Sequence, residues 1–308
     1  MKETIKKLVP KFILNGYHLA LAYLGAFWYG FPSRKMVIIG VLGTRGKTTT
    51  ANLIWSALTA AGYETGLTGT ANIRIGGKER LNEFHMTMPG RFNMQRILKE
   101  MVDAGCEYAV VETPSEGVEQ SRHKGIAYDI AVLTTLYPEY MAVHNWDYGR
   151  CLEMHLKVFA ELTSQPRKVI GGKKIPKIIA VNNDNAEAEE FLKFEADRKI
   201  TYGLKSQADI VGKNIKAGSG GVDFVAGQTS CHLNLLGSFN VVNALAAIAV
   251  LSGLEIKEEA MVEGLKNLKN VPGRMEKIEA GQNFAVFIDY AHDKVSMEAA
   301  LRAAEEVK

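Results

Sequence analysis

Val37-Ile38-Ile39-Gly40-Val41-Leu42-Gly43-Thr44-Arg45-Gly46-Lys47-Thr48-Thr49-Thr50 decides the fold of this chain. An apolar run stops at glycines, and a helix-forming run follows, predicted over Thr49 to Ala61. That order reads as strand, phosphate loop and helix. Gly43 and Gly46 lack a Cβ, so the backbone can curl with its N–H groups turned inward toward phosphate oxygens, and the following helix dipole favours the same anions. Lys47 supplies a point charge for the β- and γ-phosphates, and the Thr48 hydroxyl can reach Mg²⁺. The pattern G-x-x-x-x-G-K-[ST] fails at its first position, where Val41 stands, but the core G-T-x-G-K-T-T is intact.

At 308 residues, 47% hydrophobic and 23% charged, the chain is an ordinary folded protein of about two domains. A net charge of +3 gives no reason to expect nucleic acid as a partner. Cys106, Cys151 and Cys231 are far apart and form no C-x-x-C pair, which argues against a zinc site or a disulfide framework and fits a reducing, cytoplasmic setting. The first 34 residues stand apart. Lys2, Lys6, Lys7 and Lys11 precede a run from Phe12 to Ser33 with no Lys, Arg, Asp or Glu. Asn15, Gly16, His18, Gly25 and Gly30 dilute that run, so residues 12–31 are read as a helix packed on the body or lying at the inner face of a membrane, rather than spanning it.

From Lys35 onward, strand-like and helix-like runs alternate, which predicts an α/β fold with a mostly parallel sheet flanked by helices. Tyr108 to Val111, Ile130 to Leu133 and Ile178 to Val181 read as strands; Met94 to Ala104, Cys151 to Leu162, Ala186 to Ala196 and Val241 to Leu251 read as helices. Ile200 to Leu236, with a turn at Gly218 to Gly221, reads as a small antiparallel patch. Ligands bind at the C-terminal ends of such strands. Glu112 ends one and reads as a Mg²⁺ ligand, the alternative being a surface carboxylate. Thr113, Pro114 and Ser115 follow, with Ser115 facing a substrate. His144, just beyond the strand end Thr134-Thr135-Leu136, reads equally as a ligand or as a solvated or core histidine.

These residues together resemble the Mur ligase family, most closely its UDP-N-acetylmuramyl-tripeptide synthetase branch. Gly43-Thr44-Arg45-Gly46-Lys47-Thr48-Thr49 is similar to the family's ATP loop, with Arg45 where Asn is usual. Thr87-Met88-Pro89 is similar to its substrate loop, and Val111-Glu112-Thr113-Pro114-Ser115-Glu116 to its Glu-Val-Ser-Ser-His segment. Asn182-Asn183-Asp184, Gly237 to Asn243, Pro272-Gly273-Arg274-Met275-Glu276 and Asp289-Tyr290-Ala291-His292 continue the likeness in order. The resemblance implies ATP and Mg²⁺ as cofactors, with Glu112 on the metal, Asn240 and Asn243 near the adenine, and Asp289 and His292 near the ribose. It further implies Thr87, Pro89, Thr113 and Ser115 near a UDP-muramyl-peptide, and Lys157 carbamylated as an extra metal ligand.

The implied reaction is ATP-dependent amide formation through an acyl phosphate, in peptidoglycan precursor synthesis. Three departures accompany the likeness. Glu139-Tyr140 stands where the family has Asp-His, the usual N-terminal UDP-binding domain is replaced by residues 1–34, and residues 277–308 would be only the start of a C-terminal ligase domain after a central ATP-binding domain at 35–276. An amphipathic helix with Met297, Leu301 and Ala304 on its apolar face is expected in that last segment. Two other readings are an amidating partner of a glutamine amidotransferase, against which the missing four-cysteine insertion counts, and a non-catalytic nucleotide-binding scaffold at a membrane.

Overall fold

The computed structural model describes residues 11–138, 147–205 and 207–307. The chain begins with helix α1 (Lys11–Trp28) and a 3-10 turn at Pro32–Arg34, followed by β1 (Val37–Leu42), α2 (Lys47–Ala60), and the strands β2 (Thr65–Thr68), β3 (Asn72–Ile75) and β4 (Lys78–Leu81). Next come α3 (Arg91–Asp103), β5 (Tyr108–Glu112), the short α4 (Ser115–Glu119), β6 (Ile130–Leu133) and α5 (Tyr148–Ser164). A small hairpin of β7 (Val169–Ile170) and β8 (Lys173–Lys174) leads to β9 (Ile178–Asn182), α6 (Ala188–Leu192), β10 (Arg198–Gly203), β11 (Ile210–Gly218), β12 (Gly221–Ala226) and β13 (Thr229–Leu233). The described chain closes with α7 (Asn240–Gly253), α8 (Glu258–Asn267), the hairpin β14 (Glu276–Ile278) and β15 (Val286–Ile288), and α9 (Lys294–Glu305).

β1 is a run of six buried residues because both faces of the sheet are covered. Val37, Ile39 and Val41 join the core under α2, α7 and α8, whereas Ile38 and Leu42 join the core under α3 and α5. Period-two alternation thus feeds two layers from one apolar strand, each such side chain contributing roughly 1.5–3 kcal/mol on burial. Gly40 leaves room for Tyr128, whose ring lies 2.9 Å from where a Cβ would stand. On the first layer, α8 crosses α2 so closely that a Cβ on Gly264 would lie 2.2 Å from Ala57 Cα, and Ser56 Oγ donates to Gly264 O at 2.6 Å.

The sheet has eleven strands in the order β13-β12-β11-β10-β9-β6-β1-β5-β2-β3-β4. Its centre, from β11 to β2, is parallel. Both edges are antiparallel, β11-β12-β13 on one side and β2-β3-β4 on the other. The expected patch at Ile200 to Leu236 is therefore narrower at its start, because Arg198–Gly203 pairs parallel to β9. The opposite hairpin was not anticipated: β4, Lys-Glu-Arg-Leu, is fully exposed and carries no apolar alternation to read. β1 lies between β5 and β6, so the loops leaving these three strands converge at one C-terminal crevice.

At the opposite end of the sheet, Asp129 is fully buried between two lysines. Its Oδ2 accepts from Ile38 N at 2.9 Å and from Lys168 Nζ at 2.5 Å, while Lys177 Nζ donates to Tyr128 O at 2.6 Å. Lys168 Nζ also donates to Ser33 O and Met36 O, which pins the entry to β1. Burial pushes the Lys168 ammonium down to about 8, with Asp129 opposing.

α1 packs on α3 through small residues: a Cβ on Gly25 would stand 3.5 Å from Phe92 Cα, and Ala22 and Ala26 are fully buried. Its other side exposes Tyr17, Tyr23, Leu24, Phe27 and Trp28, the last 73% accessible. No described helix is long and apolar enough to cross a membrane. α9 starts with a capping box at Asp293 and Ser296, and Ala303 buries itself against Leu236 and Met275. Its inward side is made of Ala300, Ala303 and Ala304, with Val307 packing just beyond its end, so the expected apolar face is corrected: Ala304 belongs to it, but Met297 and Leu301 are exposed. α6 stops at Leu192, four residues short of the predicted Ala196.

Candidate functional site

Gly43 and Gly46 have φ of +124° and +83°, a region that L side chains rarely adopt. Space forbids a side chain as well, since a Cβ on Gly43 would lie 2.2 Å from Thr134 Oγ1, and one on Gly46 2.2 Å from Asn243 Oδ1. The loop is held from β6: Thr44 N donates to Thr135 O at 3.0 Å, and the Thr44 hydroxyl accepts from Tyr137 N at 3.0 Å. Lys47 Nζ donates to Gly43 O at 2.8 Å and Thr44 O at 3.1 Å. Burial pushes this ammonium below its ordinary value, with Glu112 opposing.

The far end of the loop is built on Glu112, fully buried at the end of β5. Its Oε2 accepts from the Thr48 hydroxyl at 3.1 Å and the Thr70 hydroxyl at 2.9 Å, and its Oε1 accepts from Thr70 N at 2.9 Å. Thr70 Oγ1 lies 2.9 Å from Thr87 Oγ1, which ties the loop that carries Thr87 to the same carboxylate. Arg274 Nη2 donates to Thr48 Oγ1 at 3.2 Å, and its guanidinium lies 4.8 Å from the Tyr290 ring centroid. A carboxylate beside a hydroxyl is a hard-oxygen donor pair that fits Mg²⁺. Among the described residues, no group of three or more His, Cys, Asp or Glu could hold a metal. Glu112 and Thr48 therefore suit a cation that keeps water and phosphate oxygens as its other ligands, not an all-protein cage.

A cavity of about 550 Å³ opens beside the loop. Its walls are Gly43 to Thr49 on one side and Asp289 to Asp293 with Val295, Ser296, Ala299 and Ala300 on the other, and Leu204, Phe239 and Val242 add apolar surface. Arg45 pairs with Asp293 across it and stacks 4.6 Å from the Tyr137 centroid. Burial raises the Asp293 carboxyl, but the Ser296 amide and hydroxyl together with Arg45 outweigh it and hold the group below its ordinary value. Polar phosphate-side groups at one end and an apolar slot at the other match a nucleotide.

Residues 41–251 match the model of the Mur ligase middle domain. The chain belongs to the Mur ligase family. It is 33% identical over 302 residues to the UDP-N-acetylmuramoyl-L-alanyl-D-glutamate–2,6-diaminopimelate ligase of Bacillus cereus, covering 97% of this chain and 60% of that protein. It is 36% identical over 304 residues to the UDP-N-acetylmuramyl-tripeptide synthetase of a Roseiflexus species, covering 96% and 59%. The chain thus spans about 60% of the length of the curated relatives it matches. Among solved structures, a UDP-N-acetylmuramoyl-L-alanyl-D-glutamate–2,6-diaminopimelate ligase is similar with TM-score 0.71 and 25% identity, over 89% of this chain and 54% of that one. A folylpolyglutamate synthase of Mycobacterium tuberculosis shares the fold, with TM-score 0.72 and 17% identity over 93% and 70%.

In this Mur ligase chain the cavity gathers Gly43, Thr44, Arg45, Gly46, Lys47, Thr48, Thr49, Thr87, Ser115, Asn243, Asp289 and His292. Asp289 is held by Met275 N at 2.8 Å and Ala291 N at 2.7 Å, and the His292 ring packs on Tyr290 at 5.0 Å. Other expectations are corrected. Thr113 is fully buried, its hydroxyl 3.0 Å from Tyr128 OH, because it follows the strand alternation into the core and away from the cavity. Pro89 is buried beside Met88 and does not line the cavity. Asn243 abuts Gly46 at the phosphate loop, and Asn240 is buried behind it, accepting from Asn243 Nδ2 at 2.8 Å, because α7 crosses α2 at that end.

Lys157 needs the largest correction. It lies on the solvent side of α5, 51% accessible and 2.8 Å from Glu153, and it is not among the residues that line the cavity with Thr48. The buried stripe of α5 is Cys151, Met154, His155, Val158, Phe159 and Leu162, and at about 100° per residue Lys157 falls opposite it. The stripe instead buries His155, which both burial and the Lys47 charge push down to about 3. Helical phase was the available signal for this residue, and motif spacing obscured it. His144, with Glu139 and Tyr140, lies outside the described residues. Thr70, the donor that completes the Glu112 environment, carries no motif signal of its own.

Proposed function

We propose that the chain supplies the ATP-binding and phosphoryl-transfer site of a ligase that adds an amino acid to a UDP-N-acetylmuramyl-peptide. The observation that carries this reading is the junction of Thr48, Glu112, Thr70 and Thr87, which joins the nucleotide loop to a second, substrate-side loop through one buried carboxylate. Relatives named for that activity support it. In this reading the substrate carboxylate attacks the γ-phosphoryl group, ADP leaves, and an amino group then displaces phosphate from the acyl phosphate. Mg²⁺ held by Glu112 and Thr48 would neutralise phosphate charge. Lys47 and Arg274 bring further positive charge to the same end of the cavity, so catalysis is positioning and charge stabilisation. Ser115, at the first turn of α4 in the cavity wall, faces the peptide.

The test is ADP release that depends on a UDP-muramyl-dipeptide, with ligated product sought by mass spectrometry from a mixture including diaminopimelate and lysine. ADP release indifferent to the peptide would refute the ligase reading and leave a nucleotide-binding scaffold. A peripheral contact of α1 with the inner membrane face is supported by its exposed Tyr17, Tyr23, Phe27 and Trp28 and the neighbouring Arg34 and Lys35. Flotation with anionic vesicles that is unchanged in a Phe27→Ser, Trp28→Ser variant would count against that contact.

A further inference from the structure

Arg45 joins two walls of the cavity, the phosphate loop and α9. Its Nη2 donates to Asp293 Oδ1, and its Cζ lies 4.6 Å from the Tyr137 ring centroid, so one corner and the plane of the guanidinium are fixed. Its Nε is buried and has no hydrogen-bond partner among the described residues. A guanidinium carries five N–H donors on three nitrogens, and Asp293 engages one of those nitrogens. The side chain keeps 18% of its surface accessible and lines the cavity. A cation with spare donors in the wall of a phosphate-binding cavity suits a second anion.

Asp293 does not take up those donors, because it is the N-cap of α9. Its Oδ1 also accepts from Ser296 N at 3.1 Å, and its Oδ2 accepts from the Ser296 hydroxyl at 2.8 Å. The cap orients this carboxylate, and the two-point fork of an Arg–carboxylate pair is not made. Just past the other end of α9, Glu306 accepts from Ser238 N at 3.1 Å and from the Ser238 hydroxyl at 2.7 Å. The helix is thus fastened at its far end away from the phosphate loop. Among the described residues, Arg45–Asp293 is the ion pair that joins it to the loop.

We propose that Arg45 bridges the bound nucleotide to α9: Nη2 stays on Asp293, and the Nη1 edge donates to an oxygen of the polyphosphate. Asp293 is then a positioning residue that acts on the nucleotide through Arg45. The planar guanidinium can meet two anions at once, whereas an ammonium is a point charge that meets one of them well. This rests on the nucleotide half of the ligase reading above. It adds a link between the phosphates and a cap 248 residues from Arg45 in sequence.

The experiment compares wild type, Arg45→Gln, Arg45→Lys and Asp293→Asn in the full chain. Calorimetry gives the affinity for Mg-ATP, and hydrogen exchange of the α9 amides is followed without nucleotide, with AMP, and with Mg-ATP saturating for each protein. Asn caps a helix as well as Asp does, so Asp293→Asn removes the charge and keeps the helix, which the thermal midpoint checks. In wild type, Mg-ATP should slow exchange in α9 about tenfold, and AMP should not. Arg45→Gln should weaken Mg-ATP binding about tenfold to a hundredfold, as for loss of a charge-assisted hydrogen bond, and should abolish the slowing. Arg45→Lys should recover much of the affinity without the slowing, which separates a bridge from a charge. Asp293→Asn with Mg-ATP bound should lose the slowing as well. A pair that only fastens α9 would lower protection equally with and without nucleotide and keep the ATP-dependent slowing in every variant, and that result overturns the proposal. Equal Mg-ATP affinity in Arg45→Gln also overturns it. So does faster exchange of α9 when Mg-ATP is added to wild type, since the guanidinium would then have left Asp293 for the phosphates. Wild type that does not bind Mg-ATP overturns the nucleotide reading itself, an outcome distinct from an ATP-binding wild type whose variants respond alike.

Discussion

Arg274 Nη2 donates to the hydroxyl of Thr48 across 3.2 Å, although 226 residues separate the two in sequence. The same hydroxyl donates to Glu112, so the segment leading into the β14–β15 hairpin contacts the Thr48–Glu112 pair of the phosphate loop directly. Arg274→Ala is expected to weaken Mg-ATP binding about tenfold to a hundredfold, the range for a lost charge-assisted contact. Calorimetry checks this, and unchanged affinity would show that the guanidinium leaves the site when nucleotide binds.

Lys47→Ala should abolish detectable turnover and weaken ATP binding by at least as much, with the circular dichroism spectrum unaltered. Among the described residues the side chain hydrogen-bonds to the carbonyls of its own loop, Gly43 and Thr44, so the rest of the core does not depend on it. Equal ATP affinity in the variant would remove Lys47 from the phosphate site.

Lys157→Ala should turn over within about twofold of wild type, because its partner is the exposed Glu153 one turn earlier and such pairs contribute little. A loss of tenfold or more, restored by added bicarbonate or a short carboxylic acid, would reinstate a carbamate.

Asp129→Asn leaves the Lys168 and Lys177 ammoniums buried without their counter-charge. Breaking a buried pair in this way costs about 3–5 kcal/mol. Urea unfolding should show that loss at pH 7, and a change below 1 kcal/mol would mean that backbone carbonyls alone satisfy the lysines.

Stability should fall in acid on account of His155. Its folded value, about 3, lies below the ordinary 6.5. The unfolded chain therefore binds the extra proton between those values, so this contribution is fully present above pH 6.5 and is lost as pH falls toward 3. At 1.36 kcal/mol per unit, wild type should lose roughly 2–3 kcal/mol more than His155→Leu between pH 7 and 4.5. Parallel urea midpoints of the two proteins across that range would show that the imidazole is not held neutral.

Residues 37–50 by themselves determined the strand, loop and helix, because glycine conformations, the lysine and the hydroxyl act within one short segment whose geometry is local. Glu112 was legible for a related reason: a carboxylate ending a β-rich run stands where parallel strands open. Direction and phase needed tertiary structure. Thr113 and Ser115 are two residues apart, yet one turns into the core against Tyr128 and the other faces the cavity, which depends on where β5 leaves the sheet. His155 and Lys157 divide α5 likewise, and only the packing of that helix settles which of them is buried. Asn243 reaches Gly46, and Arg274 reaches Thr48, through contacts that span some two hundred residues. No local pattern encodes those meetings, since they result from layers of helices closing over both faces of the sheet.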